Sequence, residues 1–268
     1  MGVSTAKRLY LALQDMRRAI QQRRIWLHLG LLEVKQRYRR SIIGPWWISI
    51  SMLIFIVAMG IVFSRLFTQS LAEYVPFFTA GFFLWSFIST SLNESTDLFK
   101  NHSGFIKQLN LPYNLYIFKY LTRNVVILAH NFVVYLLVIL FFKLNPGWNV
   151  LFAIPGILLL IVNLYWVCLL TALISTRFRD MIPIINSCVQ ILFFVTPISW
   201  MPKLIGQNSI ILKFNPLVYF LDIVRQPLLG IQPPLYYWTI SLCITAVGLA
   251  ITLSVFSSVR SRIPFWID

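Results

Sequence analysis

The chain has 268 residues, of which 58% are hydrophobic and only 12% charged, and its mean hydropathy is +0.76. A water-soluble domain carries about a quarter charged residues, so the composition excludes one and fits an all-α integral membrane protein. The net charge of +15 does not point to nucleic acid, because ten of the 23 Lys and Arg precede Ser41, beside a membrane entry point where anionic headgroups attract each basic side chain by about 1 kcal/mol.

The N-terminus lacks a short apolar core followed by a small-residue cleavage site, so no cleaved signal peptide is expected. Within 27–40, Leu27, Leu31, Val34 and Tyr38 recur at helical steps and form one apolar stripe. Glu33, Lys35, Arg37, Arg39 and Arg40 occupy the other faces. Such a helix lies in the plane of a membrane surface with its stripe below the headgroups. Gly44-Pro45 breaks it, and Trp46 and Trp47 stand where indole rings prefer to be, at the water–lipid boundary.

A bilayer core about 30 Å thick takes roughly 20 helical residues to cross. Charge-free runs predict six transmembrane helices, at about 41–64, 74–93, 124–142, 150–175, 181–200 and 236–259. With the N-terminus inside, the segments 1–40, 94–123, 177–180 and 260–268 hold eighteen Lys and Arg, against five in the outer segments. Both termini are therefore expected in the cytoplasm. The domain plan is a cytoplasmic N-terminal segment 1–40 with the interface helix, a six-span domain 41–259 and a cytoplasmic tail 260–268.

Two connections exceed a turn. In the inner one, 94–123, Ser103 is placed to cap a short helix over 105–109 that stops before Pro112. The outer one, 201–235, holds apolar stretches too short to cross, broken by Pro202, Gly206, Pro216, Pro227 and Gly230. Short re-entrant helices at the outer face fit it better than an exposed loop.

The chain contains no Gly-x-x-x-x-Gly-Lys-Ser/Thr, so it binds no nucleotide by a P-loop. His28, His102 and His130 lack metal-ligand spacing, and no serine or cysteine has a plausible local catalytic context. Neither a metal site nor a catalytic site is expected. None of the eight acids lies mid-span, where a self-contained ion-coupled transporter would hold charge. His130 with Asn131 reads as an interhelical hydrogen-bonding pair or, alternatively, a proton relay. Aromatic residues are the positive signal, with 22 Phe, 11 Tyr and 9 Trp. Phe55, Met59 and Phe63 stripe the first span, and Phe193, Phe194 and Trp200 cluster in the fifth. They read either as packing and lipid-facing bulk or as a conduit whose ring faces stack weakly on sugars.

Four segments resemble the membrane subunit of ATP-binding-cassette polysaccharide exporters, the group that moves lipid-linked O-antigen, capsule and teichoic acid. They are Arg37-Tyr-Arg-Arg-Ser-Ile-Ile-Gly-Pro-Trp-Trp47, the run from Asn101 to Pro112, Arg177-Phe-Arg-Asp180, and Thr196-Pro-Ile with Asn215-Pro-Leu and Asp222-x-x-Arg225. Ile43 and Leu111 depart from the Leu and Phe of the family pattern. Each motif alone is weak; their order and spacing carry the likeness over nearly the whole chain.

The resemblance implies a permease subunit in the bacterial inner membrane that is not itself an enzyme. It implies a homodimer joined to two copies of a separate ATPase, with ATP and magnesium on that partner and no cofactor on this chain. An undecaprenyl-pyrophosphate-linked glycan, foremost O-antigen, would be the substrate. The ATPase would grip Asn101, Phe105, Ile106, Lys107, Leu109 and Pro112, unless that helix is an ordinary loop helix. A glycan of many sugars fits no single enclosed pocket, so a continuous channel at the dimer centre is expected, with several weak sites. Arg37, Arg39 and Arg40 would meet the pyrophosphate, since guanidinium suits phosphate geometry. Asn215, Pro216, Asp222 and Arg225 would form an outer gate, with Asp222 and Arg225 pairing as a staple or touching substrate. A type II exporter of a small molecule or another lipid, built on the same plan, is the alternative.

Overall fold

The computed structural model describes residues 4–37, 39, 41–44, 46–204, 206 and 209–267. The described residues form helices and turns without a strand. In chain order the helices are α1 (Thr5–Gln21), α2 (Arg23–Arg37), α3 (Trp46–Leu66), α4 (Leu71–Ser95), α5 (Leu98–Asn101), α6 (Ser103–Gln108), α7 (Tyr113–Phe142), α8 (Ala153–Arg177), α9 (Met181–Val195), α10 (Ile210–Phe214), α11 (Pro216–Leu228), α12 (Leu235–Val259) and α13 (Ile263–Trp266). Among the described residues five helical segments are long and apolar enough to cross a membrane: α3, α4, α7, α8 with the 3-10 turn Gly147–Phe152 before it, and α12 with its short continuation.

α4 is the axis of the bundle. Tyr74, Phe78, Ala80, Phe83 and Leu84 on it are fully buried, and it packs on α3, α7, α8, α9 and α11. Ser70 caps it, its hydroxyl accepting from the Glu73 N–H at 3.3 Å. α8 and α12 approach closely at Gly248, where a Cβ would fall inside the Trp166 indole. At one end of the bundle lie α1, α2, α5, α6 and the C-terminal helix; at the other lie the short α10 and α11.

Several expected boundaries move. The first span begins at Trp46, not 41, because Gly44 adopts a left-handed φ of 64° and its N–H bonds the Ser41 hydroxyl at 3.1 Å. Tyr38 and Pro45 lie outside the described residues. The third long helix starts at Tyr113 rather than 124. It runs through Lys119 and Arg123 because both charges are paired with carboxylates on α2 and α4. The fifth expected span, 181–200, is helical only over Met181–Val195, since Pro197 lacks the N–H a continuing helix needs. The chain nonetheless passes from the Arg177 end to the Tyr74 end, where the Tyr74 hydroxyl donates to the Ser199 carbonyl at 2.6 Å.

α1 has no counterpart among the expected elements; it seats Ala12, Asp15 and Ala19 against the bundle. On α2, Val34 is buried while Leu27 and Leu31 stay exposed. Glu33 and Arg37, expected on the faces away from the apolar stripe, reach amine and carboxylate partners on α7 and α4. Gly30 makes that packing possible, because a Cβ there would stand 2.8 Å from the Lys119 carbonyl oxygen.

Candidate functional site

The segment between α4 and α7 folds as two short helices. Ser103 is the first residue of α6 rather than its cap; His102 holds the cap position, with no side-chain cap bond. Its ring has two other partners. Nδ1 lies 2.7 Å from the Leu98 carbonyl, and Nε2 lies 2.7 Å from Lys119 Nζ. A neutral imidazole protonated at Nδ1 satisfies both, donating to Leu98 and accepting from Lys119. Burial lowers the His102 pKa, and nearby Lys119 pushes the same way. Asn101, Phe105, Lys107 and Leu109 are exposed, Ile106 packs against the core, and Pro112 is buried where α7 begins. The segment thus offers Phe105 and Leu109 outward while Ile106 anchors it.

Behind it, Lys119 pairs with Glu33 at 2.8 Å, Arg123 pairs with Glu94, and Arg37 reaches Glu94 at 3.1 Å. Arg123 also lies 4.8 Å over the Tyr120 ring. Three helices, α2, α4 and α7, are bound in one charged network, and His102, at the cap position before α6, joins it through Lys119. It borders a cavity of about 640 Å³ that extends to Asn186 and Gln190 of α9. The Arg37 guanidinium is therefore engaged within the protein and half-exposed, and Arg39 is exposed; Arg40 lies outside the described residues. Trp46 and Trp47 are about half exposed, and Trp46 sets an edge against the His130 ring at 5.9 Å.

The His130 ring is turned to the Val126 carbonyl of its own helix, so the interhelical bond is made instead by its backbone oxygen, which accepts from Ser49 Oγ at 2.7 Å. Asn131 is buried, and among the described residues its Oδ1 has no hydrogen-bond partner.

The expected aromatics meet others on α4. Phe55 stacks on Phe82 with centroids 4.6 Å apart, and Phe82 meets Phe193 at 6.5 Å. Phe193 touches Phe194 at 5.2 Å and Trp85 at 5.9 Å. Phe63 stacks on Phe67 at 5.7 Å, which leads through Tyr74 and Phe78 back to Phe82. Tyr74, Phe78 and Phe82 recur at steps of four, a helical stripe legible in the sequence and missed. Tyr74 and Phe78 are fully buried, whereas Phe55 and Phe194 are exposed. The series therefore has a core half and an open half. Trp200 lies beyond α9, its indole donating to the Phe194 carbonyl at 2.8 Å, and Met59 packs against the core without joining a ring.

At the opposite end Asn215 caps α11, its oxygen accepting from the Leu217 N–H at 3.0 Å. Its Nδ2 reaches Thr196 Oγ1 at 2.9 Å. Pro216 opens α11 at the surface. Arg225 is 1% exposed. It holds Asp222 through Nε at 2.9 Å and through Nη2, donates to the Pro197 carbonyl, and lies 4.2 Å over the Phe77 ring. Three of the four expected gate residues are buried; the Asp222–Arg225 pair lies within α11, and the Arg225 bond to the Pro197 carbonyl fastens that helix to the stretch after α9. A cavity of about 780 Å³ beside it includes Tyr219, Tyr236 and Tyr237. Among the described residues no group of three His, Cys, Asp or Glu is placed to hold a metal ion.

The sequence profile described as ABC-2 type transporter matches residues 26–229. Similar proteins include the O-antigen export system permease protein RfbA of Myxococcus xanthus, 24% identical over 211 residues that cover 76% of this chain and 79% of that protein. Two proteins of the same name from Klebsiella pneumoniae are 22% and 24% identical, each across 82% of this chain and 87% of its relative.

Proposed function

The chain belongs to the ABC-2 type transporter family, as a multi-pass transmembrane transporter subunit, and from that premise we propose that it is the permease half of an ATP-driven exporter of a lipid-linked polysaccharide, O-antigen. The observation that carries this substrate is the likeness, across about four-fifths of the chain, to proteins named as O-antigen export permeases.

On this reading the chain crosses the bacterial inner membrane six times, with α9 and the stretch after it as the fifth crossing and both termini in the cytoplasm. α10 and α11 are the re-entrant elements. α2 is the interface helix, with exposed Leu27 and Leu31 in lipid and Arg37, Arg39 and Arg40 near the pyrophosphate. Two copies of the chain enclose a channel, and the open half of the aromatic series, Phe55 and Phe194 with Phe193, offers ring faces on which sugars slide. Two copies of a separate ATPase hold ATP and magnesium. The exposed Phe105 and Leu109 suit an apolar groove on that partner, and the network behind them joins α6 to α2, α4 and α7.

Deleting the chain tests the substrate. A lipid-linked glycan is expected to accumulate on the inner leaflet while surface glycan disappears; unchanged surface glycan would contradict the reading.

A further inference from the structure

Asp15 is a carboxylate with 1% exposure, on a helix that no sequence motif marked. Among the described residues it accepts four hydrogen bonds, all from chain segments far from its own. Its Oδ1 accepts from the Asn114 N–H at 3.1 Å and from Asn114 Nδ2 at 2.8 Å. Its Oδ2 accepts from the Tyr113 N–H at 3.1 Å and from Arg260 Nε at 3.1 Å.

Tyr113 and Asn114 are the first two residues of α7, so their N–H groups have no acceptor within the helix. Pro112 before them offers no side-chain cap. A carboxylate here fills the role of a capping residue and meets the positive end of the helix dipole, yet it comes from α1, nearly a hundred residues away. The C-terminal end joins the same point, since Arg260 also lies 5.6 Å over the Tyr113 ring. Tyr165 on α8 donates to Asn114 Oδ1 at 2.6 Å. The root of α7 is thereby tied to α1, α8 and the end of α12, with four residues between it and the end of α6.

We propose that Asp15 is a positioning residue for coupling: by capping α7 from α1 it fixes the point through which displacement of α6 is handed to the membrane helices. This rests on the reading of the chain as a permease driven through α6. A slack root would let α6 move while α7 stays, so ATP would be hydrolysed with less transport. A residue that only stabilised the fold would lower hydrolysis and export together as assembled complex was lost.

The experiment uses the full chain with its ATPase and compares wild type, Asp15→Asn and Asp15→Ala. One arm follows amide hydrogen exchange at 113–116 in the purified complex. The other takes the ratio of surface glycan restored in a deletion strain to ATP hydrolysed by the purified complex. In Asp15→Ala, exchange is expected to rise about tenfold and the export-to-hydrolysis ratio to fall about fivefold, with hydrolysis retained; Asp15→Asn, which keeps one acceptor oxygen, should fall between. Unchanged exchange, or export and hydrolysis falling in proportion, overturns the proposal. If Asp15→Ala does not assemble, Asp15→Asn carries the test: it weakens the cap itself, must show the same split to a smaller degree, and an unchanged ratio there overturns the proposal. A wild-type complex without ATP-dependent export would sink the permease reading and the coupling role with it, while the exchange arm still reads the cap.

Discussion

His102 shows how one side chain acquires a condition for its structure. Its ring sits between the Leu98 carbonyl and the Lys119 amine, with the Glu33 carboxylate beyond the lysine and the Tyr116 ring alongside at 5.2 Å. Burial lowers its pKa below the ordinary value of about 6.5. The unfolded chain therefore takes up the proton first on acidification. The neutral ring's contribution is complete above about pH 6.5 and declines as the pH falls toward the depressed folded value. Melting temperature is expected to drop more steeply between about pH 7 and 5 for wild type than for His102→Gln; parallel curves would contradict the assignment. At the other end, Asp222→Ala leaves the Arg225 guanidinium buried with only the Pro197 carbonyl and the Phe77 ring. A loss of about 3 kcal/mol in equilibrium unfolding is expected, and a smaller one for Asp222→Asn. An indifferent Asp222→Ala would mean the pair is not a staple.

Among the elements, α2 is held to α7 by close backbone approach as much as by charge. Leucine at Gly30 would collide with the Lys119 carbonyl and Thr122 and part Glu33 from Lys119. Gly30→Leu is expected to cost about 2 kcal/mol and to open the α1–α2 joint to trypsin at Arg23 and Arg24; an unchanged melt and digest would contradict this packing. The same elements show what the sequence made legible. Long charge-free runs located α3, α4, α8 and α12 to within a few residues, because lipid enforces both apolarity and length. Charge counting found the end of α7 but put its start too late, since Lys119 and Arg123 stay helical once paired with Glu33 and Glu94, partners whose proximity no local pattern reveals. It also overextended the helix of the fifth expected crossing, whose register breaks at Pro197. α1 was legible and missed: Leu9, Leu13, Met16 and Ile20 recur at helical steps, although the side it buries is the one that carries Ala12, Asp15 and Ala19. Of the site, the exposed Phe105 and Leu109 and the Asp222–Arg225 pairing were readable from helical spacing. The His102–Lys119 contact and the Asp15 cap are long-range and were not.

At the scale of the whole molecule, the two ends differ in kind. One end carries the charged network, the short helix α6 and the first and last helices, α1 and α13; on the proposed reading a push there reaches α2, α4 and α7 together. The other end is closed by buried polar fastenings at Asn215 and Arg225. Between them the aromatic series runs from the core out to the exposed Phe55 and Phe194, drawing on α3, α4 and α9 at once. An engine attached at one end and a passage between the ends is the arrangement on which the account turns. The most direct test reconstitutes the chain with its ATPase in proteoliposomes loaded with the lipid-linked glycan that accumulates on deletion, and measures ATP-dependent delivery of that glycan across the bilayer. Wild type should deliver it only with ATPase and ATP both present, and Phe105→Asp combined with Leu109→Asp should reduce delivery at least about tenfold. Delivery by the chain alone, or delivery undiminished in the double variant, would contradict the account.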